Sequence, residues 1–465
     1  MAENIREIVL DVLLTLEQGE EFSHRLLKAV LDKYDYLDSR DKAFIKRVTE
    51  GTIERQLELD YYLNHFSSVP VRKMKPLIRC LLRMSTYQIL YMDAVPDSAV
   101  CNEACKLAGK RKFQNLKGFV NGVLRNLSKN KNALPMPDEE KNPTEFFSVK
   151  YSMPEWLVKM WLDEYGSEGV VKLLEGLLRI HPVSLRFRTT LSEERQKELV
   201  EEMQKKGVRM EQSQYLPYVY TCNNIEGIST LPGFEEGEFT VQDVSSALAV
   251  EAAGIKAGDF VMDICAAPGG KTVLAAEKAG RVLSRDVSEN KVALIVENVE
   301  RMQAANVTTQ VFDATVTDEA YLGQADVLIM DVPCSGLGVM SKKRDIKYHA
   351  RPENIESIVQ LQHTIIENSW QYVKPGGILL YSTCTIHRAE NEETVHWILE
   401  NFPFEPVSLE TCLTEELLAA KRAIQSDRKR VTGLSEEEEA ACIQLLPGYT
   451  EADGFFFAKL RRKAL

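Results

Sequence analysis

From about residue 238 the chain alternates short apolar or β-branched runs ("FVMDI", "RVLSRD", "TTQVF", "DVLIMD", "GILLYST") with longer helical stretches. No other feature constrains the fold as strongly, because neighbouring parallel strands must be joined by crossovers and these are usually helices. The alternation predicts a parallel, doubly wound α/β sheet over residues 238–465. Ligands of such sheets bind outside the carboxyl ends of the strands, so the residues that close each run are the candidates for function.

"MDICAAPGGKT" (Met262–Thr272) stands at the first of these ends. Gly269 and Gly270 allow a tight turn and a close approach of backbone to a ligand, and the helix start that follows can face polar groups. A P-loop would need glycine where Cys265 stands, and G-x-G-x-x-G is absent, so neither an ATPase nor an ordinary dinucleotide reading fits. Asp286, sixteen residues after Gly270, closes the next strand and can accept the hydroxyls of a ribose. Asp313 and Asp331 close the third and fourth, and three acids lining one crevice behind a glycine turn point to a nucleoside ligand. Two thiols also sit at strand ends, Cys334 in "DVPCSG" and Cys384 in "YSTCT". A cysteine there is ordinarily a small hydrophobe, which is the reading for the Cys265 thiol. No histidine stands at ligand spacing from these cysteines, and no metal is expected.

The first 135 residues read as all-helical. Ile5, Ile8, Val9, Val12, Leu13 and Leu16 form one amphipathic stripe, and "LDSRDKAFIKRVTEGTIERQLELDYYLNHF" continues the period, with Asp38 or Ser39 as its cap. "ALPMPDEEKNPT" is a linker, and 145–237 a small α+β module. "CIQLLPG" and "GFFFAKLRR" form a terminal hairpin, and "SEEEE" is solvated surface. The N-terminus is too charged for a signal peptide, no apolar run approaches a membrane span, and nine scattered cysteines suit a reducing, cytoplasmic setting. The net charge of −12 argues against nucleic acid if taken whole. Residues 72–131, however, hold 13 Lys+Arg against 3 Asp+Glu, a net of +10. A solvated helical face and a polyanion site are equally compatible with that block.

"DICAAPGGKT", "DVPCSGLGVMSKKRDIKY" and "YSTCTIHRAENEE" together resemble the Sun (Fmu) family of S-adenosylmethionine-dependent RNA cytosine-5 methyltransferases. "LDSRDKAFIKRVTEGTIERQ" and "LKGFVNGVLRNL" resemble the NusB-type RNA-binding domain carried by the bacterial 16S rRNA enzymes of that family, and the middle segment resembles their RRM-like module. The resemblance implies an all-α domain over 1–135, a small α+β module over 145–237, and a class I, Rossmann-like, seven-stranded methyltransferase domain over 238–465. It implies S-adenosylmethionine at Cys265, Ala266, Ala267, Pro268, Gly269, Gly270, Lys271, Asp286, Asp313 and Asp331. It implies 16S rRNA, free or in an early precursor, as partner of a monomer without membrane or metal.

C5 of cytosine is a poor nucleophile, and adding a thiolate to C6 turns the ring into an enamine-like species that can take a methyl group. A carboxyl group at N3 stabilises the charge that develops, and a base must then take the C5 proton. DNA enzymes use the Pro-Cys thiol, here Cys334, and RNA enzymes of the Sun type the Thr-Cys thiol. The resemblance therefore makes Cys384 the nucleophile, Cys334 the assistant in proton removal and release, and Asp331 the group on the base edge. Lys271 is open between cofactor or phosphate contact and a solvated helix start, while His387, Asn391 and Glu392 read as capping and orienting residues. The target cytosine must be unstacked for the thiol to reach C6. Arg72, Lys73, Lys75, Lys110, Arg111, Lys112 and Arg125, with Lys342, Lys343 and Arg344 beside the catalytic loop, are the candidate phosphate contacts. A tRNA cytosine-5 methyltransferase, a non-catalytic RNA-binding assembly or antitermination factor, and a DNA enzyme are the competing readings.

Overall fold

The computed structural model describes residues 4–464 apart from 20, 180, 181, 226, 430 and 431. Two compact units emerge, one of Met1–Glu164 with Lys342–His349, the other of Tyr165–Ser341 with Ala350–Leu465. The division falls inside the helical stretch Glu155–Leu178, whose Gly166 has a non-helical backbone with φ 68°.

The first unit is helical. Asn4 caps the helix Ile5–Leu16, and its Ile8, Val9, Val12 and Leu13 are buried as the periodicity requires. The Asp38 side chain accepts Asp41 N–H and caps Ser39–Glu54. The long periodic stretch is broken at Arg55 into this helix and Gln56–Phe66. Pro76–Tyr91, Asp97–Lys110 and Lys117–Asn130 complete one apolar core. The segment Lys342–His349 belongs to this unit through polar contacts. The Arg344 guanidinium pairs with Glu50 (2.6 Å) and Glu54 (2.8 Å), and Asp345 accepts Ser23 N–H at 2.6 Å. The Lys347 amine, buried, donates to the carbonyls of Glu54 (2.7 Å) and Ser152 (2.6 Å). Burial pushes the Lys347 amine down to about 7.

The second unit holds two sheets. The smaller is antiparallel, built from β1 (Val183–Phe187), β2 (Arg209–Gln212), β3 (Val219–Asn223) and β4 (Phe239–Val241) in the order β2-β3-β1-β4. Its last strand lies beyond residue 237, so the module extends further than the composition suggests. The larger sheet contains β5 (Phe260–Asp263), β6 (Arg281–Asp286), β7 (Val307–Val311), β8 (Ala325–Asp331), β9 (Val373–Thr383), β10 (Phe404–Pro406), β11 (Cys442–Leu445) and β12 (Phe455–Arg462). Seven strands run in the order β10-β12-β9-β8-β5-β6-β7, and β11 is an eighth that pairs with β12 as the expected terminal hairpin. Strands β9-β8-β5-β6-β7 are parallel, while β12 runs antiparallel to β9. The inner strands are buried on both faces, which is why they read as continuous apolar runs.

The two sheets are joined by Arg186 of β1, whose side chain is fully buried. Its Nε donates to Gln242 Oε1 and its Nη1 to Glu277 Oε1, each at 2.6 Å. Glu277 also accepts Thr189 N–H at 2.7 Å and the Thr189 hydroxyl at 2.6 Å.

Candidate active site

Parallel register sets Asp331, the last residue of β8, opposite Ser382 of β9, so two strand ends open side by side. Ser382 Oγ donates to Asp331 Oδ1 and Lys271 Nζ to Asp331 Oδ2, both at 2.8 Å. Lys271 is 8% exposed, with its ammonium 5.0 Å from the Phe455 ring centroid. It is therefore the buried partner of Asp331, not a solvated helix start.

One residue beyond β9, Cys384 Sγ lies 3.2 Å from Cys334 Sγ, a non-bonded separation, and no cysteine is in a disulfide among the described residues. Backbone holds the two loops in this arrangement. Gly338 N–H donates to the Cys384 carbonyl at 3.0 Å, and Gly454 N–H donates to the Gly338 carbonyl at 2.9 Å. A Cβ on Gly338 would run into the Gly454 carbonyl, so the approach requires glycine. The hydrogen bond with Cys384, reinforced by burial and by the charges of Glu390 and Asp331, holds the Cys334 thiol well above the usual thiol range. Burial likewise pushes up Cys265, in keeping with a packing role for that thiol.

A cavity of about 180 Å³ opens beside Asp331 and is lined by Asp263, Cys265, Pro268, Gly270 and Lys271, among others. Gly269, at φ 101°, turns the chain at its edge as the motif requires. Ala266 and Ala267 also line it, but Asp286 and Asp313 do not. Asp286 is 3% exposed and accepts Ala267 N–H (3.0 Å) and Val287 N–H (2.8 Å), with Lys291 at 2.9 Å. Asp313 is exposed and its Oδ1 caps Thr315, accepting both its N–H (2.9 Å) and its hydroxyl (2.7 Å).

Sequence reasoning passed over two acids. Asp263 is fully buried at the end of β5; its Oδ2 accepts the Thr272 hydroxyl at 2.7 Å and its Oδ1 has no partner among the described residues. Burial pushes Asp263 up to about 7. The rule that singled out Asp331, an acid closing an apolar run, picks Asp263 out as well. Glu390 is also fully buried, and it carries bonds to both cysteine loops. Its neighbours Asn391 and Glu392 drew attention in the sequence instead. Asn391 does orient the Cys384 loop, donating to the Thr385 carbonyl at 3.1 Å and accepting from Thr383 Oγ1 at 2.6 Å.

The basic candidates divide. Among the described residues, Arg72, Lys73, Lys75, Lys112 and Arg125 are exposed and form no ion pair. Lys110 pairs with Glu7 (2.5 Å), and Arg111 with Glu7 (3.0 Å) and with Asp11. Lys342 and Lys343 are exposed, whereas Arg344 is held by Glu50 and Glu54 with its side chain 18% exposed. Its charge is matched by two carboxylates, as is that of Arg111, but its side chain is the more buried of the two. Among the described residues no group of three or more His, Cys, Asp or Glu is disposed to hold a metal ion.

Comparison with known proteins bears on what this geometry serves. Residues 252–461 match the model of the family described as 16S rRNA methyltransferase RsmB/F, and residues 3–129 match the NusB family. The chain is 34% identical over 471 aligned residues to the probable ribosomal RNA small subunit methyltransferase B of Bacillus subtilis (strain 168), covering 99% of each. It is 29% identical to ribosomal RNA small subunit methyltransferase B of Cronobacter sakazakii (strain ATCC BAA-894), covering 96% of this chain and 97% of that protein. The crystal structure of PH0851 has the same fold, with a TM-score of 0.77 at 23% identity over 99% of both chains. A full-length relative at that identity, a methyltransferase sheet and a helical N-terminus together lead to one statement: the chain belongs to the RsmB/F family of 16S rRNA methyltransferases, with a NusB-family domain at its N-terminus.

Proposed function

We propose that the chain methylates C5 of an unstacked cytosine in 16S rRNA, with S-adenosylmethionine as donor and through a covalent bond between Cys384 and C6. The observation that carries the reading is the 3.2 Å approach of the two strand-end sulfurs beside the Asp331–Lys271 pair. C5 methylation needs a thiol to activate the ring and a second group to manage release. The Cys334 thiol, held well above the usual range, is suited to give its proton to the departing Cys384 sulfur, and the Cys334 thiolate so formed can take the C5 proton, which leaves both thiols protonated. Asp331, its other oxygen fixed by Ser382, and Lys271 together offer an acceptor and a donor to a base edge.

S-adenosylmethionine, when bound, supplies an electrophilic methyl group on a positively charged sulfur. The residues present fit it. The partnerless Oδ1 of Asp263, buried on the cavity wall, is matched by a cationic or hydrogen-bond-donating group. Gly270 forms part of the adjoining wall without a side chain, and Asp263, Lys271 and Asp331 would hold the ligand from the sheet side. Asp286 and Asp313, outside this cavity, would have to serve the more distant part of a nucleoside. The exposed Arg72, Lys73, Lys75, Lys112 and Arg125, with Lys110, Arg111, Lys342 and Lys343, would contact phosphates of the partner RNA. The remaining cofactor expectations, Cys265 through Pro268, rest on backbone alone.

The test is adduct trapping. Cys334→Ala incubated with S-adenosylmethionine and unmodified 16S rRNA should give a slow band on a denaturing gel, and the band should vanish when Cys384→Ala is added. A band that survives the second change would sink the assignment of Cys384, and a wild-type protein that methylates tRNA but not 16S rRNA would sink the substrate.

A further inference from the structure

The carboxylate of Glu390 belongs to no step described so far, yet it is fully buried six residues beyond Cys384. Four donors converge on it. Oε2 accepts Ser335 N–H at 2.7 Å and Gln362 Nε2–H at 3.3 Å; Oε1 accepts the Ser335 hydroxyl at 2.5 Å and the Thr385 hydroxyl at 3.2 Å. Ser335 follows Cys334 and Thr385 follows Cys384, so one carboxylate grips the residue after each thiol. The two hydroxyls also meet at 2.7 Å. Gln362 reaches onward to the Pro333 carbonyl at 2.9 Å, and Tyr381 OH donates to the Glu390 carbonyl at 2.5 Å, which fixes the clasp to β9.

Burying a carboxylate is costly unless its lone pairs are filled, and here about four sites receive four donors. A glutamine in the same place would turn an NH₂, which cannot accept, toward two of the four donors. Packing alone would be met more cheaply by an apolar side chain of similar volume. What the carboxylate adds is a link between two loops that sequence separates by fifty residues. We infer that Glu390 is a positioning residue that sets the distance between the Cys334 and Cys384 sulfurs and thereby the hand-over from attack to release. It acts through Ser335 and Thr385 and touches no reacting atom.

The inference rests on the two-thiol reading above, and its test has an arm that needs no RNA. Oxidised glutathione forms a mixed disulfide with one thiol, releasing one reduced glutathione. A neighbouring thiol held in line then displaces the second glutathione and closes the Cys334–Cys384 disulfide. Peptide mass spectrometry follows the mixed species. In Glu390→Gln it should accumulate at least about tenfold over wild type, and kcat for methyl transfer should fall by about 10²-fold with KM for S-adenosylmethionine unchanged. Losing the negative charge alone would let the neighbouring thiol ionise more readily and shorten the life of the mixed species, so accumulation reports position. Should that variant fail to fold, Ser335→Ala with Thr385→Val removes the gripped hydroxyls and is read in the same way. A folded variant that closes the disulfide and turns over at the wild-type rate overturns the inference. A wild-type protein inactive on rRNA overturns the reaction, while the thiol arm still decides the clasp.

Discussion

His387 shows how a single buried group near the site leaves a mark on stability. Burial pushes its imidazole down to about 4, and its Nδ1 accepts the Ala389 N–H at 3.3 Å. The ring is therefore neutral in the fold, whereas an unfolded chain takes up a proton near the ordinary value of 6.5. Stability from this residue is complete above that value and is lost as pH falls toward the folded value, by about 3 kcal/mol across the window. Asp263 changes stability in the opposite sense, because its raised value of about 7 makes the folded state the better proton binder below that pH. The difference between wild type and His387→Gln isolates the histidine. Urea unfolding between pH 4 and pH 7 should show the variant losing less stability than wild type on acidification. Parallel curves would contradict the assignment.

At the scale of elements, stability depends on a few polar ties where packing alone would let parts slide. Arg186 lies between β1 and the turn after the helix Gly270–Ala276, with no exposure of its side chain. Arg186→Ala leaves Glu277 buried with a charge uncompensated, a change of about 3–5 kcal/mol. Unfolding midpoints should drop accordingly, and a drop within experimental scatter would mean that the small sheet is held by its apolar packing. The catalytic loops depend on a steric condition instead. Gly338→Ala must displace Gly454 and crowd the Cys384 carbonyl, so it should lower methyl transfer more than it lowers stability.

Across the whole molecule the arithmetic of charge separates structure from recognition. The block of +10 at residues 72–131 contains both kinds of cation. Arg79 and Arg83 are consumed by Glu17 and Asp60 at 2.6–2.9 Å, whereas Arg72, Lys73 and Lys75 pair with no carboxylate among the described residues. Replacing Arg72 and Lys73 by Ala should reduce the salt dependence of RNA binding by about 0.7–0.9 in log–log slope for each RNA phosphate that the protein then leaves unneutralised. Arg344→Gln, in contrast, should lower the unfolding midpoint and leave that slope unchanged, because its partners are Glu50 and Glu54. A slope that falls with Arg344→Gln would restore it to the RNA surface.

Much of the molecule was legible in the order of its residues, because the signals involved are local. The 3.6-residue stripe of Ile5–Leu16, the Asp38 cap, the apolar runs that became β5 to β9 and the glycine turn at Gly269 each depend on a few neighbours in the chain. Cys334 and Cys384 could be named for the same reason, since each closes an apolar run, and sheet register then brought them together. What tertiary structure alone decided is which charges are used up and which acids meet. Whether a cation is free depends on carboxylates far away in the chain, as Arg344 with Glu50 and Glu54 shows. Glu390 and Asp263 became visible only through burial and hydrogen-bond saturation, properties of an environment assembled from several strands, which no window of sequence contains.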